Sequence, residues 1–186
     1  NSKGRTTVWY RGGGDKRAYR RIDFVYDKKN IPARVEKIEY DTYHSGFIAL
    51  VCYQDGERRY VLASQEMRPG NEFIVSQTAR ATAGNRTILT NIPVGTFVYN
   101  VELKPAAGAR LARSAGSYAE VVAHDAGTTQ LKLSSSEIRR VPSAAWASIG
   151  QVSNEEHRLV SLGKAGRARH RGLRPKTRGT AKNAVD

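Results

Sequence analysis

Cysteine is nearly absent from these 186 residues, and the single Cys52 excludes an intrachain disulfide and a thiolate-rich zinc site. Lying in the apolar run 47–53, it reads as a small buried core residue. That run is among the longest apolar stretches, strand-sized and far short of the ~20 residues a membrane helix needs, so no membrane partner is expected. Aromatics are sparse at 8%, against 26% charged residues, a balance that favours a broad surface interaction over a deep cavity for an organic ligand. The four histidines, His44, His124, His157 and His170, are scattered without HExxH or HxH spacing, so no metal is expected. Neither a GxSxG elbow nor a GxxxxGK[ST] loop occurs, even around Ser134-Ser135-Ser136. The chain therefore reads as no enzyme, with no catalytic residue, cofactor or small-molecule substrate. No signal peptide opens it, and Asn1 in place of Met marks it as part of a longer product.

Acidic residues are also in short supply, 17 against 31 Lys and Arg, giving a net charge of +14. The excess is localised. Residues 1–21 hold seven cations and one acid, Asp15, and residues 163–183 hold eight cations and none, leaving sixteen of each sign in the other 144 residues. A near-neutral body thus carries two cationic arms, the footprint of a protein that binds nucleic acid.

Without the arms there is room for two small domains of about 60–80 residues. Strand patterns run over 33–40, 47–53, 59–62 and 72–75, the second and third joined through Asp55-Gly56, a pair suited to a tight hairpin. So many short strands suggest a small closed barrel. Small and polar residues at 81–85 read as a linker. Beyond it, apolar residues alternate over 97–103, and strands resume at 118–124, 131–133, 138–141 and 149–152 as a second barrel. Between them, 105–116 reads as a basic loop carrying Arg110 and Arg113, too rich in small residues to pack a core. Ser153-Asn154-Glu155-Glu156 fits a capping box and predicts a helix of about eight residues ending at Leu162. The segment after Gly163, with Leu173 its only large aliphatic residue, is expected to be disordered alone and to order on a polyanion.

Gly12-Gly13-Gly14, flanked by Arg11, Lys16 and Arg17, lets backbone approach phosphates closely, although a flexible linker has the same composition. In the tail, Lys164, Arg167, Arg169, Arg171, Arg174, Lys176, Arg178 and Lys182 come without interspersed acids, which favours phosphate binding over a merely solubilising arm. Trp9, Tyr10 and Tyr19 are placed either to stack on bases of single-stranded RNA or to complete a core.

Residues 175–186, Pro-Lys-Thr-Arg-Gly-Thr-Ala-Lys-Asn-Ala-Val-Asp, resemble the signature of the large-subunit ribosomal protein L-two family. Arg11-Gly12-Gly13-Gly14 with Lys16, Ile38-Glu39-Tyr40-Asp41, Asp55-Gly56-Glu57-Arg58-Arg59-Tyr60, Asn91-Ile92-Pro93-Val94-Gly95, Leu111-Ala112-Arg113-Ser114-Ala115-Gly116 and the run 162–169 resemble it in the same order. The resemblance covers the whole chain as a core region without the family's terminal extensions. It implies an all-β fold, an OB-fold barrel followed by an SH3-like barrel, with basic extended arms and one short helix. The domains would be 1–84, OB-fold with the N-terminal arm; 85–153, SH3-like; and 154–186, helix and basic tail. It further implies a structural role in the large ribosomal subunit, binding large-subunit rRNA near the peptidyl transferase centre and supporting subunit association and tRNA binding in translation. Partners would be that rRNA and other ribosomal components, including the small subunit, in the bacterial cytoplasm or else in an organelle. Carried onto this chain, the rRNA contacts are Arg5, Arg11, Gly12, Gly13, Gly14, Lys16, Arg17, Arg110, Arg113, Lys164, Arg167, Arg169, Arg171, Arg174, Lys176 and Arg178.

The chain departs from the family in three places. Asp15 stands where the family usually has His, Asp41-Thr42-Tyr43-His44-Ser45 where it often has Asp-Pro-Asn-Arg-Ser, and His170 where it has Trp. The family's histidine- and glycine-rich segment, which holds the histidine tied to peptidyl transfer, would follow Asp186. Two other readings stay open: a single-strand-binding OB-fold protein such as a chaperone, and an enzyme acting on nucleic acid, which needs a carboxylate cluster for metal ions or an acid–base pair.

Overall fold

Alternating apolar and polar residues build the first sheet. The computed structural model describes residues 3–4 and 8–185. β1 (Ala33–Glu39) buries Ala33 and Val35 and exposes Arg34 and Glu36, with a bulge between Val35 and Lys37. It pairs antiparallel with β2 (Ile48–Tyr53), which returns through the expected Asp55-Gly56 turn, Gly56 at φ 88°, into β3 (Arg58–Leu62). The short β4 (Glu72–Phe73) closes the order β3-β2-β1-β4. Val35, Val51, Tyr53, Val61, Met67 and Phe73 pack the interior with Tyr26. Cys52 points elsewhere. It is half-buried, and its thiol donates weakly to the Tyr53 carbonyl, a correction to the buried core residue expected.

The second sheet begins with β5 (Arg86–Ile88), unforeseen because its Arg86 reads as a surface residue. β6 (Phe97–Tyr99) and β7 (Val101–Glu102) replace the single strand expected over 97–103, because Asn100 adopts φ 50° between them. β8 (Ala109–Leu111) pairs with β7. The stretch 105–116 is thus half of a hairpin with Ala109 buried, since its small residues are what lets it approach the Phe24 carbonyl, 2.7 Å from the Ala109 amide. β9 (Ala119–Asp125), β10 (Thr128–Leu133), β11 (Ile138–Pro142) and β12 (Trp146–Ile149) complete the order β11-β10-β9-β6-β12-β5. Leu89, Ile92, Val98, Val121, Leu131 and Val141 fill its core. Trp146, by contrast, belongs to the first core, and parallel pairing of Val75 with Arg86 joins the chain of one sheet to the other. The fold is all-β, an OB-fold barrel followed by an SH3-like barrel.

These two sheets and the separate β7–β8 pair lie in one compact unit, Tyr19–Leu159. The described residues of Asn1–Ala18 and Val160–Asp186 make a second. Two expectations are corrected here. The capping-box helix is only a 3-10 turn, Glu155–Leu159. Its intended caps are spent on the first barrel: Ser153 Oγ accepts from the Phe47 amide at 3.1 Å, and Asn154, at φ 62°, donates to the Ser45 carbonyl at 2.7 Å. The tail in turn is ordered, with the α-helix α1 (Ala165–His170), whose Ala and Arg residues favour helix, and a 3-10 turn at Gly179–Ala181.

Candidate nucleic-acid interface

Two segments at opposite ends of the sequence meet in the smaller unit. The amide of Gly12 donates to the Gly172 carbonyl at 3.0 Å, Asp15 to His170 at 2.8 Å, and Arg174 to Tyr10 at 3.0 Å. Arg11 and Leu173 pair as an antiparallel bridge, and the Tyr10 hydroxyl donates to the Thr177 carbonyl at 3.0 Å. Gly14 sits so close to the tail that a Cβ there would lie 2.8 Å from the Gly172 nitrogen. This glycine is therefore required by packing. Gly13, at φ 65° with open space around it, is required by conformation.

The tail is thus hydrogen-bonded to the arm within this unit. Of the predicted contacts, Arg11, the three glycines, Lys16, Arg17 and the seven tail cations from Lys164 to Arg178 all belong to this unit. Arg5 lies outside the described residues. Counting Lys3 and Lys182, the unit's described residues carry twelve Lys and Arg against one acidic side chain, Asp15. Asp15 in turn meets His170 at 3.1 Å, so two departures from the family pattern lie in contact with each other.

Arg110 and Arg113 occupy the larger unit. They line a cleft of about 500 Å³ with Tyr43, His44, Ser114 and Ser135. Arg113 stacks over the Phe24 ring at 4.6 Å and donates to the Ala109 carbonyl at 3.4 Å. Neither arginine forms an ion pair among the described residues. Several other charges of that unit are locally paired. Arg59 meets Asp23, Asp27 and Glu57; Lys28 meets Asp55 and Glu57; Arg58 meets Glu36; Lys37 meets Glu39. The ion pairs hold Glu57, Asp55 and Glu36 below the usual carboxylate range and raise Arg59. These carboxylates pair with cations rather than with one another, and among the described residues no three His, Cys, Asp or Glu are grouped to hold a metal ion. No helix among those residues is long and apolar enough to cross a membrane.

His44 occupies the position that departs from the family's arginine, and it is tied to Asp41. Burial pushes the Asp41 carboxyl up, but the ring and backbone N–H of His44, at 2.6 and 3.0 Å, outweigh it and hold the carboxyl below its ordinary value. The imidazole nitrogen nearest that carboxyl is therefore not available for phosphate.

One polar cluster escaped the sequence reading. Arg86 and Glu102, each 1% exposed, pair at 3.0 Å inside the larger unit. Arg86 also donates to the Asn100 carbonyl at 2.6 Å and lies 4.5 Å over the Tyr26 ring, whose hydroxyl accepts from Asn100 at 2.9 Å. Glu102 accepts from the Ala106 amide at 2.8 Å. Burial pushes the Tyr26 phenol up to about 12, and it raises Tyr99 as well, so both stay neutral around the charged pair. No local pattern marks Arg86, flanked by Asn85 and Thr87, as buried; the one signal is that Glu102 sits between Val101 and Leu103. Of the aromatics left between stacking and core, Trp9 and Tyr19 are exposed at 69% and 70% and complete no core.

Comparison with known proteins identifies the family. Residues 1–76 match the family profile described as Ribosomal Proteins L2, RNA binding N-terminal domain, and residues 82–186 match Ribosomal Proteins L2, C-terminal domain. The chain is 50% identical over 183 residues to the large ribosomal subunit protein uL2 of Phenylobacterium zucineum, covering 98% of this chain and 66% of that protein. It is 49% identical over 186 residues to its counterpart in Rhodospirillum rubrum and 50% identical to that of Methylococcus capsulatus, covering all of this chain and 67% and 68% of theirs. The chain spans about two thirds of the length of these relatives.

Proposed function

The chain belongs to the ribosomal protein L2 family, and from that premise we propose that it is a structural constituent of the large ribosomal subunit that binds large-subunit rRNA. The observation that carries this reading is the convergence of both cationic arms in one unit whose described residues include a single carboxylate side chain. Phosphate oxygens are the partner such a surface lacks. Arg11, Gly12, Gly13, Gly14, Lys16 and Arg17 from one arm, and Lys164, Arg167, Arg169, Arg171, Arg174, Lys176 and Arg178 from the other, make the contacts. Arg5 extends the first arm. Arg110 and Arg113 supply a separate anchoring point on the larger unit. The three domains are 1–84, 85–153 and 154–186, the barrels serving as rigid mounts.

The role is structural rather than catalytic, and the pairing of Asp23, Glu36 and Glu57 with cations supports that reading. The bound rRNA lies near the peptidyl transferase centre, where the protein supports subunit association, through contact with the small subunit, and tRNA binding. Its compartment is the bacterial cytoplasm, as the bacterial relatives suggest. Co-sedimentation of the native protein with large subunits through high-salt washing tests the assignment. Release into the supernatant at modest salt would refute it.

A further inference from the structure

We propose that the cleft lined by His44, Arg110 and Arg113 is a seat for one backbone phosphate of RNA, and that His44 donates to that phosphate by taking up a proton. The inference rests on the rRNA-binding reading and adds to it a residue, a protonation state and a pH dependence. The cleft is about 500 Å³, and no carboxylate lines it. Ser114, Ser134 and Ser135 contribute hydroxyls to its wall. Arg113 and His44 both pack on Phe24, the guanidinium 4.6 Å and the imidazole 5.7 Å from the centre of that ring.

Asp41 fixes where the imidazole carries its proton. Although burial pushes that carboxyl up, it is held below its ordinary value, so at neutral pH it is ionised and can only accept. His44 Nδ1, 2.6 Å away, is therefore the donor, which leaves Nε2 with a bare lone pair in the neutral ring. Among the described residues Nε2 has no hydrogen-bond partner. A phosphate oxygen also offers only lone pairs, so it is bound by the imidazolium, whose two nitrogens both donate. The titratable and charged groups around the ring are Asp41; Arg20, 3.9 Å from that carboxylate's other oxygen; Arg110 and Arg113 along the cleft; and the phenols of Tyr43 and Tyr118. His157 stands on the neighbouring turn, 3.4 Å from the Asn154 amide that donates to the Ser45 carbonyl. The two arginines oppose a third positive charge until an anion joins them, and Asp41 favours it throughout. Phosphate binding and proton uptake are thus coupled, so the contact strengthens as pH falls and is lost as pH rises.

The test measures affinity of the whole chain for a folded large-subunit rRNA fragment from about pH 5.5 to about pH 8 at fixed ionic strength, for the parent, His44→Gln and His44→Arg. Over that range the parent should gain about tenfold on His44→Gln as pH falls, the comparison cancelling what the other histidines contribute. His44→Arg, charged throughout, should match the parent at the acid end and bind more tightly than it at the alkaline end. Inorganic phosphate added near neutral pH should move the His44 ring-proton NMR signals, identified by their absence from His44→Gln, toward their acid positions. Coincident pH profiles of parent and His44→Gln overturn the RNA contact, and if phosphate still moves those signals the seat takes a free ion instead. A parent that loses affinity relative to His44→Gln on acidification also overturns it, because Nε2 then accepts from a ribose hydroxyl. In both cases retained binding of the fragment leaves the rRNA reading standing. Failure of the parent to bind any rRNA overturns both.

Discussion

Arg86 shows how much a single side chain commits. Its guanidinium is withdrawn from water and answered by Glu102, the Asn100 carbonyl, Ser148 and the Tyr26 ring. Removing one member strands the other charge, which typically costs about 3–5 kcal/mol. Arg86→Met and Glu102→Gln should each lower unfolding stability by roughly that amount in denaturant titrations, and the double replacement should cost less than their sum. Asp41 contributes in a pH-dependent way. Its carboxyl is held low in the folded state, so its stabilisation is complete above the unfolded value of about 3.9 and is lost as pH falls through the lower folded value. Asp41→Asn should therefore flatten the acid limb of a stability–pH profile between about pH 5 and pH 2 and leave little slope difference near neutrality. For Arg113, truncation to Ala should weaken binding to an rRNA fragment by removing the proposed phosphate contact. Loss of the Phe24 stack should cost only about 1 kcal/mol of stability, so the melting transition should persist.

At the scale of elements, the informative comparison is between what is local and what is not. Hairpins were legible because their cause is local: Asp55-Gly56 makes its turn whatever the rest of the chain does. The charge asymmetry was legible for the same reason, being a property of composition, and family motifs placed both barrels. The order of the tail was not legible. Nothing in 163–183 announces that Gly172 will accept a hydrogen bond from Gly12, and neither segment alone has an apolar face to reveal it. The capping box misled because Ser153 and Asn154 found partners in the other barrel. β8 was missed because small residues read as loop when their use is close approach. The arm–tail pairing has a sharp test in Gly14→Ala, whose methyl would press on the backbone of Gly172 and His170, atoms that cannot rotate away. Amide exchange in 165–174 should accelerate in that variant while the barrels keep their protection, and rRNA affinity should fall.

Over the whole molecule, electrostatics divides into two regimes. The barrels carry nearly balanced charge, part of it in exposed ion pairs that are worth little to stability, and they add little long-range field. The arm-and-tail unit does the reverse, crowding like charges that repel until an anion arrives. Binding to an rRNA fragment should thus be steeply salt-dependent: with about six to ten phosphates contacted, affinity should drop by orders of magnitude over a few-fold rise in salt. A nearly flat plot of log affinity against log salt would contradict the proposed role.

The hydrogen bond from Tyr10 to Thr177 joins residues 167 positions apart. A ribosome making this chain exposes the first arm long before its partner exists, and the barrels between them have time to fold while that arm is still unmatched. The proposed binding surface is therefore a late product of synthesis, completed only when translation has passed residue 177. Until then the polypeptide is a folded body whose arm-and-tail unit has yet to be assembled, and on the proposed reading this delays tight capture of the polyanion until the rest of the protein is in place.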